Sequence, residues 1–578
     1  SAANGSTGRV EVNGGTTLRS TGNTVVGSDG NTGFVTVRAG GTFESNRFFV
    51  GGQDEGTNAF GFVTVAGPDA RLTATGSSDS HIGSQGTGTI EAIGGGRVSL
   101  IETSVGEFAG SNGHLAASGS GSTVETGQLT VGGEGAGTLA ASAGGTIVTT
   151  EVLAGANSLI RVRDANSQLS VNQLHQTGGS LELLDGGALQ QAATNQPNHI
   201  GGSALISGGS LSLTGSLGVS GQLELQGGEV TAPSLHLANG SLAIHAGQAV
   251  FDQFTLTPNG SIDWTGGALS VVAPAGPLVV TSSGLFGNQV AIPAGGSLTY
   301  GDLMIVDGTL EVNGSLTTLG LRHFGDLVLD DATVAGPVHL LGGSTVAAHG
   351  TSQFLGEVTG RADVSGSGSI SFADHYRPGD PFDPAAIEFG GDVTFDADST
   401  LELELFGRHA HQMDWLDVSG TLSLGGTVDV RLADGFAPSL GDQFDLLNFN
   451  ALIDDGFDLI LPALPGNLDW DADWFAIDGT VSVVATTVPQ NGDANGDGLV
   501  DGLDFVIWNS NKFSVVTGGV ADADFNLDGI TDGLDFVIWN DNKFTGSGSL
   551  TAVPEPSTGW LAVALVWAAT ISRREVAM

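Results

Sequence analysis

Two twelve-residue stretches near the end of the chain carry the residues whose types and spacing could do chemistry. The first runs from Asp493 to Asp504 and the second from Asp524 to Asp535. Both place an oxygen-bearing side chain at positions 1, 3, 5, 9 and 12, and both place glycine at position 6. Calcium is a hard cation that takes about 6 to 8 oxygen ligands, and a loop with this spacing wraps them around one ion. The sequence therefore predicts two bound calcium ions.

The predicted ligands are five side-chain oxygens and the backbone carbonyl of position 7 in each loop. They are Asp493, Asn495, Asp497, Leu499, Asp501 and Asp504 in the first loop, and Asp524, Asn526, Asp528, Ile530, Asp532 and Asp535 in the second. A turn rich in Asp, Asn and Gly is the alternative for one such loop alone. The second copy lies 31 residues after the first, and the same Gly-Leu-Asp-Phe-Val-Ile-Trp-Asn sequence occurs in both. The repetition favours the calcium interpretation.

Each loop leads into an apolar stretch that predicts a helix, 503–509 in the first copy and 534–540 in the second, opened by the position-12 carboxylate. Because the apolar side chains are nearly continuous, we expect the two helices to bury one another. Lys512 and Lys543 end the two stretches at matching positions and are the only lysines in the chain. They either contact a partner or keep the surface soluble.

At these residues the chain resembles the dockerin family, whose members carry two calcium loops, each followed by a helix and lacking the entering helix of an EF-hand. The resemblance implies a calcium-stabilised module that binds a cohesin-like module on another surface protein. The family's recognition positions correspond here to Gly502, Leu503, Gly533 and Leu534. Well-known cellulosomal dockerins carry hydroxyl pairs at those positions, so the identity of a cohesin partner does not carry over.

The composition favours a β-rich protein and argues against nucleic-acid binding. Ninety-four glycines, 40% hydrophobic residues and 14% charged residues are typical of many short strands joined by glycine turns. The net charge of −45 is unsuited to a partner whose phosphates must be neutralised by Lys and Arg. It also disfavours anionic polysaccharides and lipid surfaces unless divalent ions bridge them. Cysteine is absent, which excludes disulfides and thiol catalysis.

A repeat of 24 to 28 residues fills the first part of the chain, and each unit opens with glycine and an apolar-alternating strand. The opening glycines are Gly8, Gly33, Gly61, Gly88, Gly113 and Gly137. A second apolar-glycine landmark follows within each unit, at Gly27, Gly51, Gly83, Gly106, Gly132 and Gly155. A fixed period in this range predicts a solenoid whose coils bury their apolar faces against their neighbours.

This block resembles the glycine-rich repeats of autotransporter-like passengers and of proteins with a PEP-CTERM tail, which implies a parallel β-helix. An antiparallel sandwich array is the structural alternative. The predicted fold is mainly β, with a β cap, a small α calcium module and a C-terminal hydrophobic helix. The predicted divisions are 1–158 (repeats), 159–375 (irregular solenoid), 376–486 (cap, with strands predicted over 401–405, 427–432 and 474–484 among others), 487–548 (calcium module) and 549–578 (tail).

The tail carries Pro554, Glu555 and Pro556, then an apolar stretch, then Arg573 and Arg574. The apolar stretch is short of the ~20 residues that a membrane-crossing helix needs. This order resembles the PEP-CTERM sorting signal. The resemblance implies an exosortase-type processing enzyme, export to the cell surface or extracellular matrix, and transient or permanent membrane anchoring through the tail. A plain tail anchor is the alternative.

The sequence predicts no catalytic residue. Sugar subsites use aromatic platforms and convergent charges, and Trp264 is the only tryptophan before residue 415. His409, His411, Asp414 and Asp417 form the best local set for a metal, or simply a surface loop before a strand. His375 beside Tyr376 and Arg377 is a weaker candidate.

The resulting prediction is a non-catalytic β-solenoid stalk or adhesin with a docking module, with extracellular polysaccharide as a further possible partner. The alternative is a surface polysaccharide lyase or glycoside hydrolase on a β-helix. A cluster of Asp, Arg and His along one solenoid face would favour that alternative. A face of Thr, Ser and Val would favour adhesion.

Overall fold

The protein is mainly β. The computed structural model describes residues 5–53, 58–257, 259–281, 286–379, 383–466, 468–485 and 491–545. Within those residues, strands make up 55% and helices 6%, and 49 strands belong to one hydrogen-bonded sheet. The many stacked parallel strands are consistent with a β-solenoid.

The chain divides into two compact units. One unit comprises Ser1–Phe436, Gln443–Pro462 and Ala472–Val481, and the other comprises Ala437–Asp442, Ala463–Asp471 and Ser482–Met578. The predicted sorting signal and the whole tail from residue 546 lie outside the described residues. No helix in the described ranges is both long enough and apolar enough to span a membrane.

The strands of the first unit stack in three rows, and each coil of the chain adds one strand to each row. Strands pair in parallel with their equivalents one coil further on. The first row contains Thr7–Val12, Thr32–Arg38, Phe60–Ala66, Thr87–Ile93, Asn112–Ser118, Ala136–Ser142, Ser158–Arg163, Ser180–Leu184, Ser203–Ser207 and Ser261–Trp264, and then Gln289–Ile292, Thr309–Val312, Asp326–Asp330, Thr345–His349, Val364–Ser365 and Ala386–Phe389.

The second and third rows are built in the same way. The second row contains Thr17–Arg19, Thr42–Ser45, Arg71–Ala74, Arg97–Ser99, Ala188–Gln191, Ser210–Ser212, Gly267–Val271, Thr333–Ala335, Thr351–Phe354, Ser369–Phe372 and Val393–Phe395. The third row contains Thr24–Val26, Phe48–Val50, Ser80–Ile82, Thr103–Val105, Asn198–Ile200, Leu217–Val219, Leu278–Val280, Val338–Leu340, Val358–Gly360, His375–Pro378, Thr400–Leu405, Thr427–Leu432 and Asp458–Ile460.

Longer strands turn a corner and contribute to more than one row. They are Thr123–Val131, Thr146–Ala154, Gln168–Gln176, Gln222–Leu237, Ser241–Leu256, Gly296–Val306, Ser315–His323, Trp415–Leu424 and Leu447–Asp454. The other strands are Gln443–Asp445, Leu468–Asp471, Thr480–Ala485, Ser514–Val515 and Ile530–Thr531. The helices are Ala410–Gln412, Phe475–Asp478, Gly502–Asn511, Gly519–Asp522 and Gly533–Asn542.

Period-2 alternation builds the core. Within each strand every second side chain faces the interior, and equivalent inward residues stack from coil to coil. One such ladder consists of Val35, Val63, Ile90, Leu115 and Leu139. All of them are at most 4% exposed, and burial of one such side chain stabilises the fold by roughly 1.5 to 3 kcal/mol.

The opening glycines of the repeat stack on one another, from Gly8 through to Gly137. They lie where the chain leaves the third row and approaches the first. A Cβ atom on Gly61 would lie 2.1 Å from the carbonyl oxygen of Val26 and 2.4 Å from the nitrogen of Gly51. No side chain fits there, so the close approach of the two backbones explains the repeated glycine.

The prediction of a single strand over 474–484 is wrong. Phe475–Asp478 is a short helix, and a strand begins only at Thr480. Gly479 ends the helix with a φ of 79°, and its N–H donates to the carbonyl of Phe475. A residue in this left-handed conformation cannot continue a strand, and glycine adopts it readily.

Candidate functional site

Each predicted calcium loop leads into a ten-residue helix, Gly502–Asn511 or Gly533–Asn542. The residue at loop position 9 caps the helix: Asp501 Oδ1 accepts the Leu503 N–H at 2.7 Å. Asp504, at position 12, accepts the Asp501 N–H at 2.7 Å in return. This reciprocal capping box satisfies two free N–H groups. The helix therefore begins at Gly502, one residue before the predicted start at Leu503, and Asp501 rather than the position-12 residue is its N-cap.

The position-12 carboxylates lie at the centre of their loops and are fully buried. Asp504 is 0% exposed, and its Oδ1 accepts the N–H groups of Ala494 at 2.9 Å and Asn495 at 3.1 Å. Asp535 is also 0% exposed, and it accepts the corresponding two N–H groups at 2.8 and 3.1 Å. The two loops therefore fold around the same carboxylate in the same way.

The position-1 carboxylates are buried as well. Asp493 is 3% exposed and Asp524 is 2% exposed. Asp493 accepts the N–H groups of Gly496 and Gly498, both at 2.8 Å. At positions 3 and 5, Asn495 Nδ2 donates to Asp497 Oδ2 at 2.9 Å. Hydrogen bonds to nearby backbone or side-chain groups thus hold the residues at positions 1, 3, 5 and 12 within the loop.

The buried carboxylates have backbone N–H partners but no cationic side chain. In the part of the chain that the structure describes, no Arg, Lys or His forms an ion pair with a carboxylate of either loop. The two lysines instead donate to neighbouring asparagines, Lys512 to Asn509 at 2.8 Å and Lys543 to Asn540 at 2.9 Å. Burying ionised carboxylates without a counter-charge is costly.

The donor set of the loops suits a hard cation, because carboxylate, amide and carbonyl oxygens are the ligands that calcium prefers. Across the described ranges, no group of three or more His, Asp or Glu side chains is arranged to hold a metal ion. In the loops, the carboxylate oxygens point toward backbone N–H groups instead. The two calcium sites therefore stay a prediction, and the residues present fit the ion chemically.

The two helices pack through a reciprocal pair of hydrogen bonds, in which the tryptophan of each helix donates to the opposite loop. Trp508 Nε1 donates to the Asp532 carbonyl at 2.8 Å, and Trp539 Nε1 donates to the Asp501 carbonyl at 2.9 Å. Each tryptophan thereby fixes the helix cap of the opposite loop. Ring contacts close the interface, with Trp508 and Phe536 centroids 4.9 Å apart. The exchange makes the module pseudo-twofold symmetric.

The predicted partner-binding residues are exposed in both copies. Leu503 is 60% exposed and Leu534 is 61% exposed. Gly502 and Gly533 face open space, because a Cβ atom on either would meet no atom within 4 Å. Lys512 Nζ lies 5.9 Å from the Trp508 ring centroid, and Lys543 Nζ lies 6.0 Å from that of Trp539. The two halves therefore present matching apolar and cationic groups.

The sequence-predicted set of His409, His411, Asp414 and Asp417 does not form a metal-holding group. The two histidines are exposed, and their rings stack with centroids 5.7 Å apart. Asp414 is buried and accepts the N–H groups of Ala385 at 2.7 Å and Glu404 at 2.9 Å. Burial raises the pKa of Asp414 to about 7. This carboxyl holds two strands together.

The sequence offered His375 beside Arg377 only as a weaker candidate, and it did not reveal the charged cluster that these residues join on the outward face of the third row. Its members are His375, Arg377, Glu402, Glu404, Asp429 and Arg431, and we call this set the charged cluster. Glu402 is 2% exposed, and its carboxylate lies 2.9 Å from Arg431 Nη1 and 3.2 Å from His375 Nε2. The strands over 401–405 and 427–432 were predicted, and their charged residues alternate with apolar ones. That alternation was the available signal.

The chain matches no protein-family model, and no curated protein matches it. The geometry of the loops and of the charged cluster is therefore the evidence for a function.

Proposed function

We propose that the protein is an exported, non-catalytic surface or extracellular-matrix protein, in which a β-solenoid serves as stalk or adhesin and residues 491–545 form a calcium-dependent docking module. One observation carries the proposal. Asp493, Asp504, Asp524 and Asp535 are buried to 3% exposure or less without a cationic partner in the described structure, inside loops with calcium-ligand spacing.

When bound, calcium supplies the positive charge that these carboxylates lack. The protein's own residues then hold the module in shape. The two capping boxes fix the helix starts, and the tryptophans couple each helix to the opposite loop. Because each loop depends on the other, we expect the module to fold as one unit around two ions.

The exposed, symmetric face suits protein docking. A cohesin-like module or another surface protein would contact Leu503 and Leu534, with the glycines beside them allowing close approach. Because the two copies present the same groups, a partner could bind in either of two orientations. The tail would anchor the protein in a membrane, and an exosortase-type enzyme would process the tail there. The protein would thereby reach the cell surface.

Thermal unfolding of the full chain with calcium and with a chelator tests the proposal. With ligand at about 100 times its Kd, each site adds about 2.7 kcal/mol of stability. We therefore expect a transition, followed by tryptophan fluorescence, that shifts upward with calcium. Magnesium at the same ionic strength is the control. An identical unfolding curve with chelator and with calcium would count against the calcium role.

A surface polysaccharide lyase or glycoside hydrolase is the second candidate function. The observation that favours it is the charged cluster, which brings Arg, His, Asp and Glu together on one face of the strand stack. Release of new reducing ends or unsaturated sugars from polysaccharides would support this candidate.

A further inference from the structure

The charged cluster contains polar atoms that the protein itself leaves unsatisfied. Arg377 Nε, His375 Nε2 and Glu404 Oε2 are buried and have no hydrogen-bond partner. His375 Nε2 lies 3.2 Å from a Glu402 oxygen but is not aligned for a hydrogen bond. Buried polar atoms are nearly always paired, and each one left unpaired costs about 1 to 3 kcal/mol. Three such atoms in one cluster leave hydrogen-bonding capacity that a polar ligand can take up once the side chains around them shift to admit it.

The cluster holds these atoms in fixed positions. Glu402 anchors the set, since Arg431 Nη1 lies 2.9 Å and Arg377 Nη1 lies 3.9 Å from its oxygens. Glu402 and Glu404 point outward from one strand, and the next strand places Asp429 and Arg431 directly beside them. Burial and the charge of Glu402 raise the pKa of Glu404, while the two arginines oppose the shift. Glu404 can therefore accept a hydrogen bond, and donate one when protonated.

The polar surface continues along the row beyond the cluster. Outward positions of successive strands pair as Arg322 with His339, His339 with Thr359, and Thr359 with Arg377. A shallow cavity of about 190 Å³ lies at the far end, and Arg322, His339, Glu357 and Thr359 contribute to its lining. Each of these coils contributes a polar side chain, and because neighbouring strands are about 4.8 Å apart, the polar side chains recur at that spacing. We call this surface, from Arg322 to Arg431, the polar stripe.

We propose that the polar stripe binds a segment of a neutral polysaccharide that lies parallel to the stack of strands. Each sugar hydroxyl both donates and accepts hydrogen bonds, which matches the mixture of unpaired donors and acceptors in the cluster. Sugar rings of a linear glycan recur at a spacing close to that of the coils. The ligand class is shared with the second candidate function, and binding without cleavage would serve a stalk or adhesin equally well.

The charge balance of the polar stripe and the net charge of the chain disfavour an anionic polysaccharide. In the polar stripe, Arg322, Arg377 and Arg431 are offset by Glu357, Glu402, Glu404 and Asp429. The whole chain carries a net charge of −45. A polyanion would be repelled over long range and would find no excess of positive charge at the site.

Isothermal titration of the full-length protein with neutral hexaoses tests the inference. The probes are β-1,4-linked hexaoses of glucose, xylose and mannose, with hexagalacturonic acid as the anionic comparison. We expect at least one neutral hexaose to bind with a Kd on the order of 1 mM or tighter. Arg377→Met and the isosteric Glu404→Gln should each weaken binding by roughly tenfold or more, the effect of about 1.4 kcal/mol.

Arg161→Met is the matched control. Arg161 forms an ion pair with Glu182 at 2.6 Å on the first row, away from the polar stripe in the strand order. This variant should bind as the wild type does. Failure of every neutral hexaose to bind at about 10 mM would overturn the inference. Equal binding by wild type and Glu404→Gln, or binding of hexagalacturonic acid alone, would do the same.

Reducing-end assays on the same samples separate binding from cleavage. Binding without new reducing ends supports the polar stripe and removes glycoside hydrolysis as the second candidate. Binding with cleavage that Glu404→Gln abolishes supports both. A chelator should leave hexaose binding unchanged, so failure of the calcium proposal would not be mistaken for failure of this one.

Discussion

Replacing His323 with leucine should make the strand stack more stable and less sensitive to acid. His323 faces the interior, where the strand before it places Val306 and the strand after it places Leu340 at the same position. Its side chain is 0% exposed, and neither ring nitrogen makes a well-aligned hydrogen bond, although the backbone of Asp326 lies close to the ring. At pH 7 the leucine variant should gain about 1 to 3 kcal/mol, because it removes buried polar atoms that make no well-aligned hydrogen bond.

The pH dependence follows from the pKa of the ring. Burial lowers the pKa of His323 from 6.5 to about 4, and nearby Asp326 only partly opposes the shift. As the pH falls below 6.5, His323 binds a proton in the unfolded chain, whereas in the folded protein it binds one only near pH 4. Folding stability is therefore lost within this window, by roughly 3 kcal/mol in total, and the loss is absent above it.

Urea unfolding at pH 7.5 and pH 4.5, followed by circular dichroism, measures the effect. Wild type should lose about 3 kcal/mol more on acidification than His323→Leu does. The exposed His236 provides the control, since His236→Leu should behave as wild type. Other titrating groups are common to all three proteins and cancel in the comparison. An acid-induced loss as large in His323→Leu as in wild type would refute the reasoning.

Three further predictions concern packing and docking. Gly61→Ala should destabilise the stack by at least about 2 kcal/mol in urea unfolding. Gly8→Ala, at the equivalent position of the first coil, should be nearly neutral because nothing lies within 4 Å of its Cβ. Equal effects of the two changes would contradict the packing argument. Trp508→Phe should cost the calcium-loaded module about 1 to 2 kcal/mol through the lost hydrogen bond, and an unchanged melting temperature would argue against it. In surface plasmon resonance with a docking partner, Leu503→Ala or Leu534→Ala alone should weaken binding little and the double variant at least tenfold; loss of binding from either single change would exclude two-way docking.

Much of the strand arrangement could be predicted because its determinants are local. The period of Gly33 and Gly61 follows from one close backbone approach repeated in every coil, and alternation such as Phe34 to Val37 marks the inward side chains. The calcium-loop prediction around Asp493 rests on the same kind of local signal, since its spacing lies within twelve residues. Local patterns of this kind can be recognised from the sequence alone.

The charged cluster could not be predicted in the same way, because it depends on register between distant strands. Arg431 comes beside Glu404 only when the strand 27 residues later pairs without a shift. Burial of Glu402 and the unpaired Arg377 Nε likewise depend on packing that no single segment reveals. The helix start at Gly502 lies one residue before the predicted start because Asp501, expected only as a ligand, also caps the helix.

Calcium titration of the full chain by calorimetry, beside Asp504→Asn, Asp535→Asn and Asp541→Asn, tests the central claim most directly. Asp541 lies on the helix surface outside the loops and serves as the control. The account predicts two ions for wild type and for Asp541→Asn, and at most one ion for each of the other two variants, because each loop depends on the other for its fold. Absence of saturable calcium binding by the wild type, or two ions retained by Asp504→Asn, would contradict it.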